Sequence, residues 1–333
     1  MIDLHLHLDG SLNPEKVRTL AKMSDVVLEY SEEKLKKALM VEPDCRNLGE
    51  YLEKFDLPLK LLQTAECMEY AVYELMRDLE EQGLCYAEIR FAPQFHTQRN
   101  LTQEDAVQAA IRGLKKGNRD FSVSANLILC CMRGDENRSE NMETIDLAEK
   151  YLGQGVCAVD LAGNEAAYPT KDFNDVFARA REKGIPVIIH AGEAAGAESI
   201  WQALELGAVR IGHGIHAIED KKLMDVLQEK KIYLEMCYTS NLQTKTVDQA
   251  EDYPIAEFLR RDLGVTLNTD NMTVSHVNLK NEYQLVQKQF GFGDHLMLKI
   301  ALNAVQAAFL SEGEKENLRD RVIREFSGWY DQF

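Results

Sequence analysis

The 333-residue sequence lacks any apolar run near the roughly 20 residues that cross a bilayer, so no membrane-spanning helix is expected. It has no CxxC pair, which argues against a thiolate zinc site. Its seven cysteines (Cys45, Cys67, Cys85, Cys130, Cys131, Cys157 and Cys237) are scattered, odd in number and set mostly in apolar segments. That pattern predicts buried thiols in a reducing cytoplasm, not a disulfide framework. Positive charge is scarce: 38 Lys and Arg stand against 55 Asp and Glu, a formal net charge of -17. Phosphate binding needs a basic surface, so nucleic acid is not an expected partner. The opening MIDLHLHLDG has no basic segment, and Asp3, His5, His7 and Asp9 interrupt its apolar residues, so it does not read as a secretory leader. No GxGxxG follows the first strand-like run, which counts against a dinucleotide-binding open sheet. There is no Pro/Gly/Ser linker, no low-complexity tract and no internal repeat.

What is present is a soluble, globular composition with 45% apolar and 28% charged residues. Short apolar runs alternate with helical patterns. The runs are 2–8, 84–91, 121–131, 155–162, 185–191, 209–214, 231–237 and 264–270; stretches such as 104–116, 172–183 and 198–206 have helical periodicity. The last two begin near Asp, Glu or Ser and stop at Lys-Gly or Leu-Gly, as capped helices do. Alternating units imply a parallel sheet, and about eight of them imply a closed (β/α)8 TIM barrel. The strands are apolar nearly throughout, as strands covered on both faces should be. About 75 residues separate the first two runs, too many for one crossover helix. The expectation is one domain, 1–333, with extra helices inserted after the first strand, at about 10–83, near the barrel mouth.

Ionisable residues fall at the ends of these runs. On a strand, His5, His7 and Asp9 share one face. Gly163 follows the fourth run, His190 and Glu193 close the fifth, His213 ends the sixth, and Asp270 and Asn271 end the eighth. In a barrel, all of these lie on the C-terminal rim, where active sites are built. Any one histidine reads as a hydrogen-bonded core residue. Three histidines and an aspartate on one rim read as a metal centre, with zinc first and iron second.

The motif series HLHLDGSL (5–12), DLAGNE (160–165), HAGE (190–193), IGHG (211–214), TSN (239–241) and NTD (268–270) resembles that of the adenosine deaminase family. The stretches 47–66, 87–96 and 127–134 fit as well, so the likeness runs in order from residue 1 to at least 282. The resemblance implies a (β/α)8 barrel with one catalytic Zn2+ per chain, held by His5, His7, His190 and Asp270. It implies that Glu193 protonates purine N1 and that His213 orients or deprotonates the attacking water. Gly163 would meet purine N3 through its N–H, Asp9 would hold the ribose 5'-hydroxyl, and His7 would also face the substrate. Leu48, Tyr51, Leu52 and Phe55, spaced as one helix face, would cover the nucleoside; ordinary core packing is the alternative for that stripe.

The implied reaction is hydrolytic deamination of adenosine, and of deoxyadenosine, to inosine and ammonia in cytoplasmic purine salvage. The partner is then a small purine nucleoside, with neither nucleic acid nor membrane. Family members often carry two aspartates at the last motif, where this chain has Asp270-Asn271, and a proline where it has Tyr238. Asn271 is expected to donate to purine N7, with loop fixation after Asp270 as the other reading. Binuclear amidohydrolases carry a lysine near the end of strand four, absent here, and the HxE and PCxxC signatures of small cytidine deaminases are also absent. Deaminases of adenine or of modified adenosine nucleosides tend towards HLEG, against HLDG here. A catalytically inactive binding protein on the same barrel is the reading from another class. His96, His216, His276 and His295 receive no catalytic role.

Overall fold

Each apolar run contains one strand. The computed structural model describes residues 1–42 and 45–330; Pro43 and Asp44, inside the expected insert, lie outside the described residues, as do 331–333. The strands are β1 (Ile2–His7), β2 (Tyr86–Phe91), β3 (Ser124–Met132), β4 (Val156–Ala162), β5 (Ile188–Ala191), β6 (Arg210–His213), β7 (Tyr233–Met236) and β8 (Val265–Leu267). All neighbours pair in parallel and in chain order, β1 to β4 and β5 to β8. Two narrow seams join the halves. Val159 of β4 bridges Val187, and Leu6 of β1 bridges Asp270. At the second seam His7 N–H donates to the Asp270 carbonyl at 2.8 Å, and Asp270 N–H to that of His5 at 2.8 Å. The sheet is therefore closed, a (β/α)8 barrel.

Five α-helices lie between β1 and β2: Pro14–Met23, Glu32–Leu39, Leu48–Leu52, Asp56–Leu61 and Ala65–Glu81. Asn13, Ser31, Asn47 and Thr64 each cap one by accepting a backbone N–H, and Pro14 sits where a missing donor costs nothing. Helix Gln103–Asp120 packs closely on 65–81 because Gly113 leaves room: a Cβ there would stand 2.4 Å from the Glu69 carbonyl. The helix starts expected near 172 and 198 differ from the expectation. Helices Asn174–Glu182 and Ala197–Glu205 have no side-chain cap from the preceding residue; a 3-10 turn, Thr170–Phe173, leads directly into the first. Their glycine ends are as expected, with Gly184 and Gly207 at φ of 66° and 90°. Among the described residues no helix is long and apolar enough to cross a membrane.

The strands are not apolar on both faces. Leu4, Leu6 and Leu8 are buried in the layer beneath the helices, but the barrel interior holds charges. Arg90 pairs with Asp160 and Glu235, both at 2.9 Å, and Arg210 pairs with Glu235 and Glu88, both at 2.6 Å. Closing the floor, the Phe309 N–H donates to Glu88, and the Arg210 guanidinium lies 4.2 Å from the Phe309 ring centre. Such buried pairs are costly unless every member is satisfied. Here they support the site above them.

Candidate active site

Strand ends bring the polar residues together because β1, β5 and β6 stop at His7, Ala191 and His213, one level of the barrel. Two of the turns are strained: His213 and Asp270, neither a glycine, have φ of 62° and 61°. Ligand atoms of His5, His190, His213 and Asp270 all lie within 4.8 Å of one another. His7 is beside them, its Nε2 3.2 Å from His190 Nε2 and 3.5 Å from Asp270 Oδ1. His213 thus falls inside the tightest group, where the sequence reading put His7.

Hydrogen bonds to the other ring nitrogen separate the histidines by role. His5 Nδ1 lies 2.8 Å from Glu235 Oε2, and His190 Nδ1 lies 2.9 Å from Asp160 Oδ2. A carboxylate at Nδ1 fixes the proton there and leaves the Nε2 lone pair for a metal. His5 Nε2 is buried without a hydrogen-bond partner, 3.4 Å from Asp270 Oδ1, as a ligand nitrogen would be. His213 is wired the other way. Its Nδ1 is 3.0 Å from the amide nitrogen of Asn241, whose oxygen accepts from the Tyr253 hydroxyl. That amide donates, so His213 carries its proton on Nε2, 3.5 Å from Glu193 Oε2. A protonated Nε2 cannot ligate a metal. His5, His7, His190 and Asp270 therefore make the better donor set, and its chemistry suits zinc.

Burial pushes the pKa values of His7, His190 and His213 down, so these rings are neutral at pH 7. Burial opposes ionisation of Asp270, but the His5, His213 and His7 rings facing it outweigh burial and hold the carboxyl well below its ordinary range. Ser240 donates to Asp270 Oδ2 at 2.6 Å. Glu193 is shifted the opposite way: burial, then the charges of Asp270 and Glu165, push it well above the usual carboxylate range. One carboxyl is thus held ionised, and the other is biased towards its proton-bearing form.

These groups face a cavity of about 360 Å³. Of the residues singled out in the sequence, all but His5 line it; His5 lies behind, its ring centre 4.5 Å from that of His190. Leu48, Tyr51, Leu52 and Phe55 form its outer wall, although not as one continuous helix. The α-helix stops at Leu52 and a 3-10 turn carries Phe55 towards His7. Tyr51 is also less apolar in role than its place in the stripe suggests. It is 1% exposed, and its hydroxyl lies 2.6 Å from Ser275 Oγ, tying the wall to the loop after Asp270. Asp9 is buried, with its pKa raised by burial to about 6, and its Oδ1 has no hydrogen-bond partner. A ligand hydroxyl is the group that would satisfy it. Asp9→Ala should cost about 1.5–3 kcal/mol in kcat/KM for a nucleoside and much less for the free base. Equal losses on both would assign Asp9 to support of the metal site.

Several residues that sequence reasoning missed hold this arrangement: Asp160 and Glu235 behind the histidines, Asn241 and Ser240, and Glu165. The first two had a legible signal, a charge inside an apolar strand. Asn241 and Ser240 lie in the quoted TSN, but their partners are far away in sequence.

The adenosine deaminase family profile matches residues 1–325. An adenosine deaminase of Haemophilus ducreyi is 53% identical over 331 residues, covering 98% of this chain and 96% of that protein. The crystal structure of an adenine deaminase from Arthrobacter aurescens is 28% identical and superposes with a TM-score of 0.89, covering 98% of each chain. A zinc-bound amidohydrolase of Burkholderia ambifaria, at 21% identity, shares the fold with a TM-score of 0.87 over 99% of this chain and 91% of that one. With a profile match over nearly the whole length and a relative above half identity, the chain belongs to the adenosine deaminase family.

Proposed function

We propose that this chain is a zinc-dependent adenosine deaminase, converting adenosine and deoxyadenosine to inosines with release of ammonia. The observation that carries the reading is the pairing of Glu193, whose pKa is raised well above the usual carboxylate range, with an ionised Asp270 beside the His7, His190 and His213 rings around one cavity. His5, His7, His190 and Asp270 would hold the zinc. When bound, the ion supplies a strong nucleophile at neutral pH by lowering the pKa of water to about 7. Attack at C6 breaks the aromaticity of the ring, and charge accumulates at N1. Glu193 holds a proton for that atom, which is why its raised pKa matters. His213, with its proton fixed on Nε2 by Asn241, orients the attacking oxygen as a donor rather than removing its proton. The proton from Glu193 stays on N1, and its emptied carboxylate relays the adduct's hydroxyl proton to the departing NH2. The C6–N bond breaks, ammonia leaves, C6 keeps the oxygen as a carbonyl, and the next water reprotonates Glu193.

Substrate contacts complete the reading. Gly163, at φ of 104°, lines the cavity with Asp9; its N–H would donate to purine N3, and Asp9 would take the ribose hydroxyl. The seven cysteines are free and buried, in keeping with a reducing cytoplasm and salvage of intracellular nucleosides. A panel of adenosine, deoxyadenosine, adenine, AMP and cytidine, followed by loss of absorbance at the purine band, tests the assignment. Adenosine and deoxyadenosine should turn over fastest. Preference for adenine or AMP, or no turnover of any, contradicts it.

Asn271 replaces the aspartate common in the family. Its Oδ1 is buried without a partner against Gly10, where a Cβ would stand 1.8 Å away. An amide donates at any pH, so Asn271 can serve the acceptor N7 without the raised pKa that a carboxyl would need. A 7-deaza nucleoside should lose about 1–3 kcal/mol in kcat/KM with the wild type, and Asn271→Ala should erase most of that discrimination. Undiminished discrimination in the variant would remove Asn271 from N7.

A further inference from the structure

We infer that Glu165 is the positioning residue that aims Glu193, an inference that rests on Glu193 being the N1 proton donor. Glu165 is 2% exposed. Its Oε2 accepts from the backbone N–H groups of Glu193 at 3.0 Å, Ala194 at 2.7 Å and Ala195 at 3.1 Å. Its Oε1 accepts from the Gly192 N–H at 2.8 Å and from the Ser199 hydroxyl. Four consecutive amides of the turn after β5 therefore converge on one carboxylate. A turn of this kind, with Gly192 at φ of 69°, has no ladder partner for those amides. Glu165 supplies one, and so fixes the backbone from which the Glu193 side chain departs.

The clamp is held from behind. Ser199 Oγ lies 2.8 Å from Thr170 Oγ1, and Thr170 accepts from Arg133, whose guanidinium also donates to the His190 carbonyl at 2.7 Å. Arg133 therefore acts on both ends of the turn that carries His190 and Glu193. Glu165 also stands two residues beyond Gly163 on the same loop. The segment 163–165 would thus offer one purine contact directly, at Gly163, and set the other through Glu165. It is a spacer between the N3 and N1 contacts, and a small displacement of a proton donor costs turnover more than binding.

Glu165→Gln keeps the size but puts an NH2 where one oxygen was, facing the Gly192 N–H. Its kcat for adenosine should fall about 10- to 100-fold, with KM within about threefold and zinc content unchanged. Ser199→Ala, which removes one of the five donors, should lower kcat by a few-fold only. Because Glu165 acts through Glu193, the double variant Glu165→Gln/Glu193→Gln should be no slower than Glu193→Gln within about threefold. A normal kcat in Glu165→Gln, additive losses in the double variant, or zinc lost together with activity each overturns the inference. Near-normal turnover in Glu193→Gln would instead overturn the donor reading, and this inference with it.

Discussion

Replacing Glu193 with glutamine is expected to depress kcat for adenosine by about 10²-fold or more while the zinc stays bound. Glutamine fills the same volume and can still donate a weak hydrogen bond to N1, so KM should change much less. What it cannot do is transfer a proton to the atom where charge accumulates. The sign of the pH effect follows from the raised pKa of Glu193. The donor form is complete below that pKa and is lost as pH rises through it, so wild-type activity should decline on the alkaline side. The variant should lack that limb. Steady-state kinetics across pH, with zinc content measured on the same samples, checks both statements. Near-normal turnover would remove Glu193 from the chemistry.

Removal of the metal is expected to be more damaging still. Without zinc the nucleophile is water, with a pKa of 15.7 against about 7 for water on a catalytic zinc. Chelation should lower turnover by about 10³-fold or more, and about one equivalent of zinc per chain should restore it. The metal-free protein should also be less stable. Its ligand cluster brings His7 Nε2 to 3.2 Å from His190 Nε2, and leaves His5 Nε2 buried without a partner. Binding to the folded state alone raises stability by mass action, so zinc should raise the thermal midpoint. Full activity in metal-free protein, or restoration only at two equivalents, contradicts a single-zinc site.

The barrel was legible because its strands are local signals: each run of branched and apolar residues became a strand within a few positions of the expected ends. The rim was legible for the same reason, since a residue that ends a parallel strand has a known place in a barrel. The ionic interior was not. Arg90, Glu88, Arg210 and Glu235 each look anomalous in an apolar strand, and only the closed sheet shows that they pair with one another. Glu165 closes the quoted DLAGNE, but its role was invisible for a different reason. It bonds to backbone amides 27 to 30 residues away, and backbone donors carry no sequence signature. The distinction between His7 and His213 was legible only through family resemblance. The structural feature that would account for it is the Asn241 amide 3.0 Å from His213 Nδ1, which favours a proton on the Nε2 of that ring.

The assignment of the ligands is tested most directly by an anomalous difference map from a crystal of the zinc-loaded protein, recorded at the zinc edge. The account predicts one peak at the barrel mouth, about 2.0–2.2 Å from His5, His7 and His190 nitrogens and an Asp270 oxygen, with His213 unligated. Two peaks, or one peak bonded to His213 in place of His7, would contradict it.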